Sequence, residues 1–359
     1  MRLLLVGYAG HPSMRLRLLQ HVPRLEQAGH SVSVCLLERG RRYDSLRVVP
    51  ELAKKLRSAD IVVVQRILLR PINALLRASS VPVVFDFDDA LHLVRPPQHV
   101  PANRRDAFRR RLMPPYRSLV RGGPFHSSRR RPLHEMSRLA QVVIAGNEWL
   151  RDEVAGAANE VVVIPTTIDV RGNRPKVPSD ARPLTVGWVG TPANVGVHLP
   201  IIDLAFRELA ERYGKDLQLT VVSSSPYVTG AIATQFIPWS LSGEAEAVSR
   251  FDVGIMPLTD HPFNLGKCAF KAILYMSHGI PVVLSPVGAN LSLVEHGLDG
   301  LFADEPEEWV TAISALLDDI ALRERIGAAG FEKVRRAYST DRSFPLFESA
   351  LAIAAGSSP

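Results

Sequence analysis

Residues 250–302 read RFDVGIMPLTDHPFNLGKCAFKAILYMSHGIPVVLSPVGANLSLVEHGLDGLF, and this stretch decides the fold. Its grammar is strand, loop, helix, strand, loop, helix. Residues 252–257 form a short apolar run ending at Pro257, and the polar loop 258–265 leads to Gly266 and Lys267. Over 268–278 helix formers carry apolar residues at helical spacing (Phe270, Ile273, Leu274), and Gly279 followed by Pro281 stops the helix. Residues 281–285 are a second apolar run, and the turn Ser285-Pro286-Val287-Gly288 enters another helix. Lys267 and Lys271 stand four residues apart around the helix start and share one face. Free backbone N–H groups and partial positive charge at a helix start, with two ammonium groups beside them, suit a diphosphate. Two solvated surface lysines are the plainer reading of the same spacing.

The alternation continues on both sides. Residues 2–8 are an apolar β run, followed by the glycine loop 7–13, a helix over about 13–28 and a strand at 31–37, an order that builds a parallel sheet with helices on its faces. Helices at 46–57 and 71–78 alternate with strands at 61–65 and 81–85, whose unbroken Val and Ile runs fit strands covered on both faces. The rhythm breaks over 86–131 and returns at 138–164, and the Pro-rich, charged residues 169–182 read as a linker. A second series starts with the strand and glycine turn at 184–190 and runs through a helix at 200–213, strands at 217–223 and 236–238, a helix at 243–250, the opening stretch, and helices at 306–320, 322–337 and 343–355. The fold expected is α/β, two doubly wound Rossmann-like domains facing each other across a cleft. Residues 1–170 form the first, 171–183 the linker, 184–340 the second, and a terminal helix in 341–359 packs back on the first.

At 359 residues, 46% hydrophobic and 22% charged, the chain is long enough for two cores and is not of disordered composition. No apolar run approaches the roughly 18 to 20 residues that span a bilayer, and the start MRLLLVGYAGHP is too short for a signal peptide, so a cytoplasmic protein is expected. Cys35 and Cys268 give neither a disulfide framework nor a metal-ligand spacing. The net charge of +7 favours anionic partners. Residues 104–131 hold ten arginines against Asp106 alone, a local charge of +9 that exceeds that of the whole chain. This Arg104–Arg131 run reads as a solvated loop or as a surface for anionic lipid at the inner membrane face or a lipid-linked acceptor, because Leu112, Met113, Tyr116, Leu119 and Phe125 are interleaved. Nucleic acid is not expected, since no recognised binding signature accompanies the run.

The fragments FDVGIMPL, GKCAFKAILYMSHGIPVVLSPVGAN and HGLDGLF resemble the donor-binding segment of the retaining GT-B glycosyltransferases of glycosyltransferase family 4. SMRLRLLQHVPRLEQAGHSVSV, ADIVVVQR, PVVFDFDDA, VVIAGNEWL and VIPTTIDV resemble the N-terminal domain of the same family, so the resemblance covers nearly the whole chain. It implies transfer of a sugar from a nucleoside diphosphate sugar with retention of configuration, and no required cofactor. Negative charge grows on the leaving phosphate, and fixed donors and cations neutralise it. On this resemblance Lys267, Lys271, Asp88 and Arg15 take part in the chemistry. Gly190, Trp239, Asp260, Cys268, Ala269, Phe270, Leu274 and Gly288 bind the donor, and Ser13, Asp86, Asp89 and His92 lie on the acceptor side.

The sequence also departs from that pattern. Family members commonly carry a Glu pair where this chain has Gly266 and Leu274, which marks a divergent subgroup. Residues 190–197, GTPANVGV, lack the Arg or Lys that many members place there for the diphosphate. Asp88 stands near the point where many members have a His, with His92 close by as a substitute. In Asp86-Phe-Asp-Asp-Ala90 the clustered carboxylates are expected to raise one another's pKa, giving the best acid/base candidate. The same residues contain DxD, a metal motif of the GT-A fold, but that fold has one nucleotide-binding domain and this chain reads as two, so no metal is expected. Arg15 and Arg17 cannot both face one way on a helix; one reaches the phosphate and the other lies in solvent. Trp239 offers a face for the nucleobase or lies buried under the next helix. A catalytically impaired nucleotide-sugar-binding or scaffold protein of the same fold is the alternative function. A sugar-nucleotide epimerase lacks its His and Glu constellation here. The acceptor stays open among a saccharide, a lipid-linked molecule and a small molecule.

Overall fold

Runs of Val, Ile and Leu become two parallel sheets, each of six strands. The computed structural model describes residues 1–38, 44–95, 130–227 and 229–356, so the arginine run lies outside the described residues except for Arg130 and Arg131. The first sheet holds β1 (Arg2–Tyr8), β2 (Ser31–Leu37), β3 (Ile61–Gln65), β4 (Val83–Phe87), β5 (Val142–Ala145) and β6 (Val161–Val163) in the order β2-β1-β3-β4-β5-β6. The second holds β7 (Leu184–Val189), β8 (Leu217–Ser223), β9 (Thr234–Pro238), β10 (Val253–Met256), β11 (Val282–Leu284) and β12 (Leu301–Phe302) in the order β12-β11-β10-β7-β8-β9. β3, β4, β5, β7, β10 and β11 are buried at every residue, as strands with helices on both faces must be.

Strand order reverses between β1 and β3 in the first sheet and between β7 and β10 in the second. Ligands of such sheets bind beyond the carboxyl ends of the strands at these reversals. The two edges meet: the backbone of Gly266, from the loop after β10, packs on Ala90, from the loop after β4. Phe263 crosses the boundary and is buried in the first domain's core with Phe87, Ala90, Leu91 and Leu150. Burying a Phe side chain contributes about 1.5–3 kcal/mol to this contact between the domains. The helix Thr340–Ala354 returns to the first sheet at β4 and β5, and its Phe347, Ala350, Leu351 and Ala354 share a buried cluster with Val84, Val142 and Ile144.

Three local departures from the periodicity shape the cleft. The single helix expected over 13–28 is broken into a helix at Pro12–Arg17, a 3-10 turn at Leu19–His21 and a helix at Val22–Gln27, because Pro23 has no N–H to continue the ladder. The turn after β7 opens into a short helix, Pro192–His198, and a 3-10 turn, Leu199–Ile202, before the helix Asp203–Tyr213. The helix expected over 268–278 spans Phe270–Met276 and follows Ala269, whose φ of 52° is left-handed and costs about 1–2 kcal/mol for a residue with a side chain. Strain of this kind gathers at functional sites.

Candidate active site between the domains

The carboxyl end of β4 delivers Asp86, Asp88 and Asp89, and two arginines receive them. Asp86 is 1% exposed and held by Arg17, whose Nε lies 2.9 Å from both carboxylate oxygens and whose Nη2 lies 2.7 Å from Oδ2. Arg66, directly after β3 and itself left-handed at φ 60°, donates from Nη1 to Asp88 Oδ1 at 2.8 Å and from Nη2 to Asp89 Oδ2 at 3.0 Å. Ser13 donates its hydroxyl to Asp88 Oδ2 at 2.6 Å. The net shifts of Asp86 and Asp88 run in opposite directions. Burial lifts Asp86 above the ordinary range despite the Arg17 charge. Burial also works upward on Asp88, but the charges of Arg66 and Arg17 and the Ser13 and Arg66 hydrogen bonds outweigh it and hold Asp88 low.

Opposite this cluster stand cations that make no ion pair among the described residues. The Lys267 ammonium lies 5.2 Å from the centre of the Phe263 ring and the Arg95 guanidinium 5.6 Å from the same ring. The Lys271 ammonium lies 5.4 Å from the Trp188 ring. Both lysines are half-buried. Burial and then the Lys267 charge push Lys271 down to about 7, and burial with Arg95 and Arg66 lowers Lys267. Asp89 is the carboxylate whose charge reaches both lysines, and Arg66 already binds it. Aromatic walls and neighbouring cations together leave a positive recess, so a multiply charged anion is the species that relieves it.

Hydrogen bonds cross the boundary beside these cations. Asn147 Nδ2 donates to the carbonyls of Leu265 and Lys267 at 3.1 and 3.0 Å, and the Cys268 thiol donates to the Asp88 carbonyl at 3.3 Å. Burial pushes that thiol far above its usual range, so it stays protonated. A Cβ on Gly266 would lie 2.7 Å from the Ala90 nitrogen, so this position has room for no side chain, Glu included. At the other end Arg15 Nη2 reaches Glu244 Oε2 at 3.3 Å, and Glu244 Oε1 accepts from Trp239 Nε1 at 2.7 Å. Among the described residues no group of three or more His, Cys, Asp or Glu is arranged to hold a metal.

Comparison with known proteins follows the same division. Residues 184–319 match the family of glycosyl transferases group 1. The GT-B fold of the whole chain is shared with solved structures. Anabaena HepE in complex with UDP and glucose is 15% identical with a TM-score of 0.67, over 98% of this chain and 99% of that one. Sucrose-phosphate synthase from Thermosynechococcus elongatus is 14% identical with a TM-score of 0.65, over 98% of each chain. The E. coli trehalose-6-phosphate protein bound with UDP-2-fluoro glucose is 14% identical with a TM-score of 0.63, over 98% and 99%. Among curated proteins none matches the sequence.

The stretch matching glycosyl transferases group 1 takes in the lysines, Trp239, Glu244, Gly190 and Gly288, whereas Ser13, Arg66, Asp88 and Arg95 lie outside it. Several expected residues sit elsewhere than expected. Asp86 cannot face an acceptor because Arg17 covers it, and Arg17 is 4% exposed rather than in solvent. His92 is buried, stacked 5.8 Å from Trp149, with Nε2 3.0 Å from Glu153. Leu274 is 2% exposed in the second domain's core and offers no polar group to a ribose. Gly288, at φ 58°, packs against the backbone of Asn264 and Leu265, and a Cβ on Gly190 would meet the Trp188 ring. Asp260 is exposed on its loop, Phe270 is half-buried against the core, and Trp239 is 37% exposed, with its indole N–H fixed by Glu244. Arg66, Arg95, Glu244, Asn147 and His198 escaped the sequence reading. Only Arg66 carried a signal, since it closes a fully buried strand at the edge where ligands bind.

Proposed function

We propose that this protein is a retaining glycosyltransferase that takes its sugar from a nucleoside diphosphate sugar. The observation that carries the reading is the cluster of Lys267, Lys271 and Arg95, which has no unengaged acid among the described residues and lies at the strand reversal of the domain that matches glycosyl transferases group 1. In the reaction the anomeric C–O bond breaks and its electron pair goes to the β-phosphate oxygen, whose growing charge Lys267 and Lys271 neutralise. The acceptor hydroxyl adds from the same face. Asp88, lowered and bound by Ser13 and Arg66, is a weak base, so the acceptor's proton passes to the departing phosphate oxygen. The exposed, Glu244-anchored face of Trp239 supports stacking of the nucleobase.

We further propose that the reaction needs no metal, that the protein works in the cytoplasm, and that the Arg104–Arg131 run meets an anionic membrane surface. No helix among the described residues is long and apolar enough to cross a membrane. The acceptor is a saccharide, a lipid-linked molecule or a small molecule. Leu274, buried where a ribose-binding Glu is usual in the resembled family, favours a second reading, a nucleotide-sugar-binding protein without turnover. A thermal-shift screen over GDP, UDP, TDP and ADP selects the donor base, because a ligand bound only by the folded state raises Tm. NMR of the product from an α-linked donor should then show an α-linkage. A β-linked product would rule out retention.

A further inference from the structure

Near these cations one buried side chain has a ring nitrogen without a hydrogen bond among the described residues: its neighbours Val195 and Leu199 share a core cluster with Trp188, the ring beside the Lys271 ammonium. His198 ends the helix Pro192–His198, is 2% exposed, and its Nδ1 is buried with no hydrogen bond. An unsatisfied buried polar group costs about 1–3 kcal/mol, so an orphan imidazole in a packed helix needs a compensating partner. Lys267 and Lys271 from its own domain and Arg95 from the other are the charges that act on it. A helix C-terminus by itself favours a protonated imidazole. Here burial and then the three cations win, and push His198 down to about 2. The ring is therefore neutral, with one N–H to donate and no positive charge to add to a crowded site.

We propose that His198 is a further donor-binding residue, which gives one imidazole N–H to a phosphate oxygen of the diphosphate held by Lys267, Lys271 and Arg95. The assignment rests on the proposed nucleotide-sugar site and adds to it a residue from the stretch where the sequence offers neither Arg nor Lys. A neutral donor there makes physical sense. A diphosphate oxygen can take a directional N–H bond without another cation facing Lys267 and Lys271, of which the first already depresses the second.

The test uses the full chain and inorganic pyrophosphate, which carries the anion without base or sugar, with affinity read by calorimetry at pH 7.5. His198→Leu should weaken binding about 10- to 100-fold, the worth of one hydrogen bond to a charged group. The ligand-free Tm should be unchanged or higher, since the lost group was unsatisfied. His198→Gln, which keeps an N–H donor, should stay within about threefold of the wild type, and that ratio should be flat between pH 5.5 and 8. Wild-type affinity in His198→Leu, with binding lost in Lys267→Ala, overturns the role of His198 and leaves the diphosphate site standing. Wild-type affinity in Lys267→Ala as well overturns the site itself. If His198→Leu does not fold, His198→Gln decides alone: a loss above tenfold, or a ratio that grows as pH falls through 6.5, contradicts a neutral donor.

Discussion

Raising the pH above 7 should weaken diphosphate binding, and Lys271 sets how steeply. In the ligand-free protein burial and Lys267 bring its ammonium to about 7, against an ordinary value of 10.5. A bound diphosphate supplies the missing negative charge and restores the ordinary range. At pH 8 the free site is then about one-tenth protonated and the occupied site nearly fully, so binding takes up about 0.9 proton at Lys271. The sign is fixed by the depressed value in the free state. The Lys271 contribution to affinity is fully present below about pH 7 and is lost about tenfold per pH unit as pH rises toward the bound value. Calorimetry with pyrophosphate at pH 8, run in Tris and in HEPES, counts the protons from the difference in heat. Lys271→Arg keeps the charge but does not titrate, and it should bind without that uptake. The ligand's own ionisation is common to both proteins, so the difference belongs to Lys271. Equal proton counts in two proteins that both bind would refute the reasoning.

Other perturbations follow from the boundary between the domains. Gly266→Ala forces a Cβ to 2.7 Å from the Ala90 nitrogen and should cost about 1–3 kcal/mol, read as a lower Tm together with a larger radius in solution scattering. An unchanged Tm and radius would mean that the domains do not meet there. Arg66→Met leaves the half-buried Asp88 and Asp89 without their cation, and a loss of about 1–3 kcal/mol should appear in the denaturant midpoint. Arg15→Ala breaks a partly exposed bridge to Glu244 and should change stability by less than about 1 kcal/mol while raising the donor KM, as should Glu244→Ala. Unchanged KM values in both variants would remove the bridge from the donor site.

The fold was legible because strands covered on both faces need largely apolar runs, and β3, β4, β7 and β10 supply them, with Asp86 the charged exception. Lys267 and Lys271 were legible because their spacing survives in the chain, even though the helix proper begins only at Phe270. Their partners were hidden because they come from distant residues. Arg95 and Phe263 come from different halves of the chain, and His198 falls between the glycine turn and the helix expected from residue 200. The carboxylates misled for a related reason: three acids in four residues imply mutual repulsion, but Arg17 and Arg66 answer them from other elements and reverse the outcome for Asp88. The absence of a Glu at Gly266 marks a divergent subgroup in the sequence, and in the structure Ala90 of the opposite domain fills the space a side chain there would need.

The central claim is that the two lysines hold the diphosphate of a nucleotide sugar that is broken down in the cleft. Incubating the protein with a panel of nucleotide sugars and acceptors and measuring nucleoside diphosphate release tests it most directly. The account predicts release by the wild type and none by a folded variant carrying Lys267→Ala and Lys271→Ala. Equal release by both proteins, or tight binding without release by the wild type across the panel, would contradict it.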